Sequence, residues 1–202
     1  MRIRLSGITI ELSYPLVAVM TLVMIYDTSL SVLICFIAVI IHESGHLTAL
    51  HIFSSFPDKI RLTLFDIAIS DKKKSVRSFR QELIVVVAGI AANIISALIT
   101  FILNCILPCS FFEGLMNANI SLAVFNSLPI DSLDGGQALL MVLCEKTDIY
   151  KAMTVLDIIS FLILIPIAAL GFLVVLRSRY NFTLLLTSMY LMALLILKHK
   201  RE

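Results

Sequence analysis

The sequence predicts an all-α polytopic membrane protein, with about six transmembrane helices and a small amphipathic β-sheet at the cytoplasmic interface. Three observations predict this. Long apolar runs recur along the whole chain, which is 59% hydrophobic with a mean hydropathy of +1.01. Only 15% of its residues are charged, against about a quarter in a soluble domain. The basic residues also fall on one side of a bilayer once the apolar runs are threaded through it. A water-soluble domain is thereby excluded. The lipid bilayer is an expected partner and nucleic acid is not.

The elements follow in order. Residues 2–12, RIRLSGITIEL, alternate apolar and polar positions with a change of phase at Gly7. Such alternation reads as a strand, and a phase change beside glycine reads as a bulge. Arg2 and Arg4 ahead of an apolar run resemble a signal peptide, but no small-x-small cleavage site follows, so an uncleaved first helix is expected. The expected spans are 12–26, 30–53, 83–107, 115–130, 152–176 and 182–197. The first is short, and only Asp27, Thr28 and Ser29 separate it from the second, a tight helical hairpin. Residues 59–70, KIRLTLFDIAIS, alternate again with a phase change at Leu64 and Phe65, and pair with 2–12 in the expected sheet. One membrane-embedded unit, 1–202, is expected, with core helices at about 30–53, 83–107 and 115–146 and no appended soluble domain. Cys35, Cys105, Cys109 and Cys144 match no zinc or redox spacing and read as packing residues.

Charge sets the orientation. With a cytoplasmic N-terminus, 14 of the 16 Lys and Arg residues lie on the cytoplasmic side, seven of them between Lys59 and Arg80. The opposite side receives Arg177 and Arg179. This asymmetry is a positive-inside signal. It predicts a multi-pass protein of the cell membrane with both termini cytoplasmic.

The chemistry is concentrated in the second span. His42, Glu43 and His46 form H-E-x-x-H inside the run AVIIHESGHLTAL. Histidines at i and i+4 lie on one helix face and can grip one metal ion. Zn²⁺ suits such a pair and needs a third protein ligand and an open position for water. Water on zinc has a pKa of about 7, and Glu43 beside a ligand can take its proton and pass it to a leaving amine. The chain's own His and Glu content would produce the pattern by accident in about two of a thousand such sequences. Ionisable groups inside a membrane helix cost about 2.5 kcal/mol or more each, which also points to function. At 1.5 Å per residue the pair sits on the order of 10 Å below the cytoplasmic surface. His51, nine residues after His42, turns to the opposite face, and His199 falls in the basic tail.

A carboxylate is the natural third ligand. Residues 126–136, NSLPIDSLDGG, end or unwind the fourth span at Pro129, and Gly135 and Gly136 allow backbone conformations closed to other residues. Asp134 stands beside them, in the same leaflet as the histidines by the charge-derived topology. Asp131 and Asp157 are rivals, Asp131 being more open to solvent and Asp157 better suited to a structural hydrogen bond. Asn126 could hold a substrate backbone or steady a developing oxyanion, or could bond between helices. In AGIAANIISA (88–97), Gly89 and Ala92 suit close helix packing, and Asn93 reads as a packing residue more readily than as support for a metal ligand.

At these stretches the chain resembles the site-2 protease family of intramembrane zinc metalloproteases. The resemblance is carried by HESGH (42–46), by the Asn, Pro and Asp-Gly-Gly of 126–136, and more loosely by AGIAAN (88–93), where Ile90 stands in place of the family's frequent proline. The compactness is similar to that of the bacterial branch that processes a membrane-tethered sigma factor in sporulation. The resemblance implies a zinc cofactor held by His42, His46 and Asp134, with Glu43 as base. It implies hydrolysis of a peptide bond in or near the transmembrane segment of a membrane-tethered, single-span protein, such as a transcription factor or anti-sigma factor. It also implies a sheet that takes an unwound substrate by strand addition.

Two other functions compete. A non-proteolytic metal-binding membrane protein, a transporter or chaperone-like relative, would not need Glu43, and a transporter would show matching broken helices in two halves, which are not evident. A zinc protease of the membrane surface would cut only soluble segments. No feature of the sequence sets an oligomeric state.

Overall fold

The structure, a computed structural model, describes the backbone of residues 2–5, 8–12, 21, 30–53, 59–62, 67–70, 77–178 and 183–199, and the side chains of 21, 30–53, 77–177 and 184–196. The expected first span, 12–26, lies almost wholly outside these residues, as does the side chain of His199. The chain divides into two compact units, Met1–Val124 and Phe125–Glu202.

In the first unit, strands β1 (Arg2–Leu5), β2 (Ile8–Leu12), β3 (Lys59–Leu62) and β4 (Ile67–Ser70) form one sheet in the order β1-β2-β3-β4. β1 pairs antiparallel with β2, Arg2 opposite Glu11, and β3 pairs antiparallel with β4, Lys59 opposite Ser70. β2 and β3 are parallel, Thr9 opposite Lys59. Each change of phase in the sequence thus falls between two antiparallel strands rather than at a bulge within one. A reversal and a bulge both shift the alternation by a residue, and only the pairing partner separates them.

Helices α1 (Ser31–Ile52) and α2 (Phe79–Ile106) are the backbone of this unit. α2 begins at a capping box: the Ser78 hydroxyl accepts from the Gln81 amide at 3.4 Å, and the Ser78 amide donates to the Gln81 side chain at 3.0 Å, so two otherwise orphaned donors are satisfied. Arg77 holds Glu82, in the first turn, at 2.6 Å. The helix stops before Pro108, and the Asn104 side chain accepts from the Cys109 amide at 3.0 Å, carrying the chain into α3 (Ser110–Asn126). α1 meets α2 through Ala49, Leu50 and Val85 with Leu47, Phe53 and Ala88 around them. It meets α3 through Ile34, Ala38 and Leu115. Gly45 lies so close to the Ala88 carbonyl and the Ala92 side chain that a β-carbon there would collide with both.

In the second unit, α4 (Asp134–Lys146), α5 (Ile149–Ser178) and α6 (Thr183–His199) follow a short irregular segment. Leu133 and Ile130, from that segment, pack with Leu164 of α5 and with Leu191 and Leu195 of α6. The expected break at Pro129 is present, and it divides the core segment 115–146 into two helices. α3 ends at Asn126, Pro129 sits in a run of tight turns, and Asp134 opens a separate helix.

Three described helices, α1, α2 and most of α5, are long and apolar enough to cross a membrane. They carry large apolar side chains outward, among them Ile94, Ile95, Leu98, Ile158, Leu162 and Ile165. This marks a protein of the membrane, since lipid accepts such a surface and satisfies no polar group on it. The expected spans at 115–130 and 182–197 appear as the shorter helices α3 and α6, of 17 residues each.

Candidate metal centre

His42 and His46 project from one face of α1, one turn apart, with His42 buried and His46 half-buried. Their rings meet edge to face at 4.8 Å between centroids, and their Nε2 atoms lie 3.2 Å apart. Two nitrogens on one tetrahedral zinc ion would stand about 3.4 Å apart, from bonds of about 2.05 Å. The donor pair therefore fits a single ion of that kind.

The ring nitrogens on the other side of each histidine both face α2. His46 Nδ1 lies 2.8 Å from the carbonyl oxygen of Val85. His42 Nδ1 lies 3.2 Å from Nδ2 of Asn93, a residue with no exposed surface. Val85, Gly89 and Asn93 follow at i, i+4 and i+8, one stripe of α2. Gly89 sits between the two contacts, where a β-carbon would strike Nε2 of His46 and would lie 2.8 Å from Cε1 and Nε2 of His42. The absence of a side chain there makes the room the imidazoles occupy.

Glu43 is half-buried on α1, next in sequence to His42. Asp134 is the first residue of α4 and is half-buried. The segment leading to it is held by amide-to-carbonyl bonds from Leu128 to Phe125, Ile130 to Leu128 and Leu133 to Ile130. The Asp131 amide donates to the hydroxyl of buried Ser160 at 3.0 Å. Gly136 packs on the Ile130 carbonyl and the Asp131 amide so tightly that a β-carbon would overlap them. His42 and His46 belong to the first unit and Asp134 to the second. Asn126 closes α3, half-buried, and His51 is exposed in the last turn of α1.

No family model matches the sequence, and no curated protein does so. Among solved structures, a site-2 protease from Methanocaldococcus jannaschii superposes with a TM-score of 0.66 at 22% identity, over 95% of this chain and 91% of that one. The chain has the site-2 protease fold. The H-E-x-x-H pair of this site-2 protease fold was legible in the sequence because i and i+4 are local. The Val85 carbonyl was not, since a backbone oxygen leaves no trace in residue type. Asn93 and Gly89 did leave one, as a polar residue and a glycine one turn apart in an apolar helix. Gly89 gives the close helix approach expected of it, and Asn93, expected to pack, also contacts the His42 ring.

Proposed function

We propose that the chain is a zinc-dependent intramembrane endopeptidase, acting on a membrane-tethered protein in or near its transmembrane segment. The observation that carries this reading is the convergence of His42 and His46 Nε2 at 3.2 Å, on a chain with the site-2 protease fold. His42, His46 and Asp134 are the proposed ligands. When bound, zinc supplies Lewis acidity toward a peptide carbonyl and toward water. Glu43 takes the proton of the attacking water and returns it to the departing amine. Asn126 is proposed to hydrogen-bond the substrate backbone near the scissile bond.

The peptide must be unwound before it is cut, because a helix hides its carbonyls in its own hydrogen bonds. β1 and β4 are the outer strands of the sheet, and we assign it to the cytoplasmic interface, where an outer strand would receive the extended substrate by strand addition. The 14 basic residues of one side support cytoplasmic termini and a site near that leaflet.

The test is Glu43→Gln, purified for metal analysis and co-expressed with single-span membrane substrates. Zinc content is expected to match the native chain while cleavage disappears. Undiminished cleavage by the variant would refute the assignment of Glu43. Cleavage sites confined to soluble segments would replace the intramembrane reading with that of a surface protease.

A further inference from the structure

We propose that the face of α3 carrying Glu113, Asn117 and Ser121 is the docking surface for the substrate's transmembrane helix. It selects helices with hydrogen-bonding side chains along one face and a lysine or arginine level with Glu113. The proposal rests on the endopeptidase reading above and names the substrate class of that site.

α3 has two unlike faces. Leu115, Asn119 and Ala123 are buried on one, where Ala118 and Leu122 also pack toward Ile34 and Ala38 of α1. Glu113, Asn117 and Ser121 follow one another at four-residue spacing on the other side, all exposed, and Val124 continues that face. None of these three polar side chains has a hydrogen-bond or ion-pair partner among the described residues. The outward faces of the membrane-crossing helices differ. α2 presents Ile94, Ile95, Leu98, Ile99 and Ile102, and α5 presents Ile158, Leu162 and Ile165. Lipid suits those faces. It suits a carboxylate, a carboxamide and a hydroxyl poorly, because it offers them no hydrogen bond.

The depth of this face follows from α1. Gly114 lies against Ile34, in the first turn of α1, and both helices run opposite to α2. Ala38 and His42 come next on that stripe of α1, so Asn117 and Ser121 lie between its first turn and the level of His42. A ridge of short polar side chains at four-residue spacing is the shape a second helix packs on, and asparagine and serine bond across such contacts. Glu113, an anion at membrane depth, calls for a cation beside it. α3 ends at Asn126, about one turn past the level of His42. The unwound end of a helix seated on α3 therefore clears α3 where the metal centre begins. It has to cross about one helix diameter, roughly 10 Å, which three or four extended residues span at about 3.3 Å each. A ridge that stops at that level favours the substrate over a permanent neighbour.

The experiment uses the full chain with Glu43→Gln, in phosphatidylcholine–phosphatidylglycerol vesicles, carrying a photo-reactive phenylalanine analogue at position 124 or, as a lipid-facing control, at position 95. The probes are two single-span peptides of leucine and alanine. One carries asparagine and serine four residues apart and a lysine one turn before them, and the other has leucine at all three positions. The polar probe is expected to be captured from position 124 and not from 95, about 3- to 30-fold more than the leucine probe. Asn117→Leu with Ser121→Leu is expected to remove the preference, and Glu113→Gln to reduce it. No capture, equal capture of both probes, a preference that survives the double leucine variant, or capture of a second copy of the chain in place of the probe overturns the proposal. If the double variant does not fold, Asn117→Ala decides: a reduced preference supports the proposal and an unchanged one overturns it. Capture needs no cleavage. A native chain that captures the polar probe and cleaves no membrane protein would defeat the endopeptidase reading and leave the docking surface standing.

Discussion

Nε2 of His42 and Nε2 of His46 stand 3.2 Å apart, with the bare backbone of Gly89 on α2 behind them. No side chain larger than hydrogen fits at that position without displacing a ring. Gly89→Ala is therefore expected to leave the helices formed, since alanine favours a helix over glycine by about 1 kcal/mol, yet to abolish stoichiometric zinc uptake and cleavage. Circular dichroism with metal analysis checks this. Native zinc content in the variant would show that the imidazoles do not depend on the gap.

Asp134 is placed by the backbone before it. Gly136 rests on the Ile130 carbonyl, and Ile130 is fully buried against α5 and α6. Gly136→Ala must shift one side of that contact, costing about 1–3 kcal/mol. The expected outcome is a lower melting temperature together with weakened zinc affinity. Weakened stability with unchanged affinity would mean that the turn does not set the carboxylate.

Ser160 holds the same segment from α5. Its buried hydroxyl receives the Asp131 amide at 3.0 Å. Ser160→Ala leaves that donor unsatisfied, at about 1–3 kcal/mol, and is expected to lower the melting temperature. Ser160→Thr, which keeps the acceptor, should lose less, and equal losses would assign the effect to packing.

The capping box of α2 lies about two turns before Val85, the first of its residues to meet a histidine. Ser78→Ala is expected to cost about 1 kcal/mol with zinc affinity unchanged, because fraying is confined to the first turn. A thermal melt and a zinc titration on the same sample measure the two effects separately. A parallel fall in affinity would show that fraying of α2 reaches the metal centre.

The sequence alone determined what is local or additive. The apolar runs set membrane residence, because transfer of side chains to lipid sums along a helix. The 3.6-residue period put His42 and His46 on one face and Glu43 beside them without reference to any other part of the chain. Only the tertiary structure decided what holds those rings. Val85, Gly89 and Asn93 are separated from the histidines by about forty or more positions, and their roles come from the close approach of α1 and α2 that Gly45 permits. It also decided that the phase changes at Gly7 and at Leu64–Phe65 separate antiparallel strands, and that Asp134 opens a helix of its own rather than ending one. In each case the deciding contact joins atoms distant along the chain. Residue type shows that a partner is needed, and packing chooses which partner arrives.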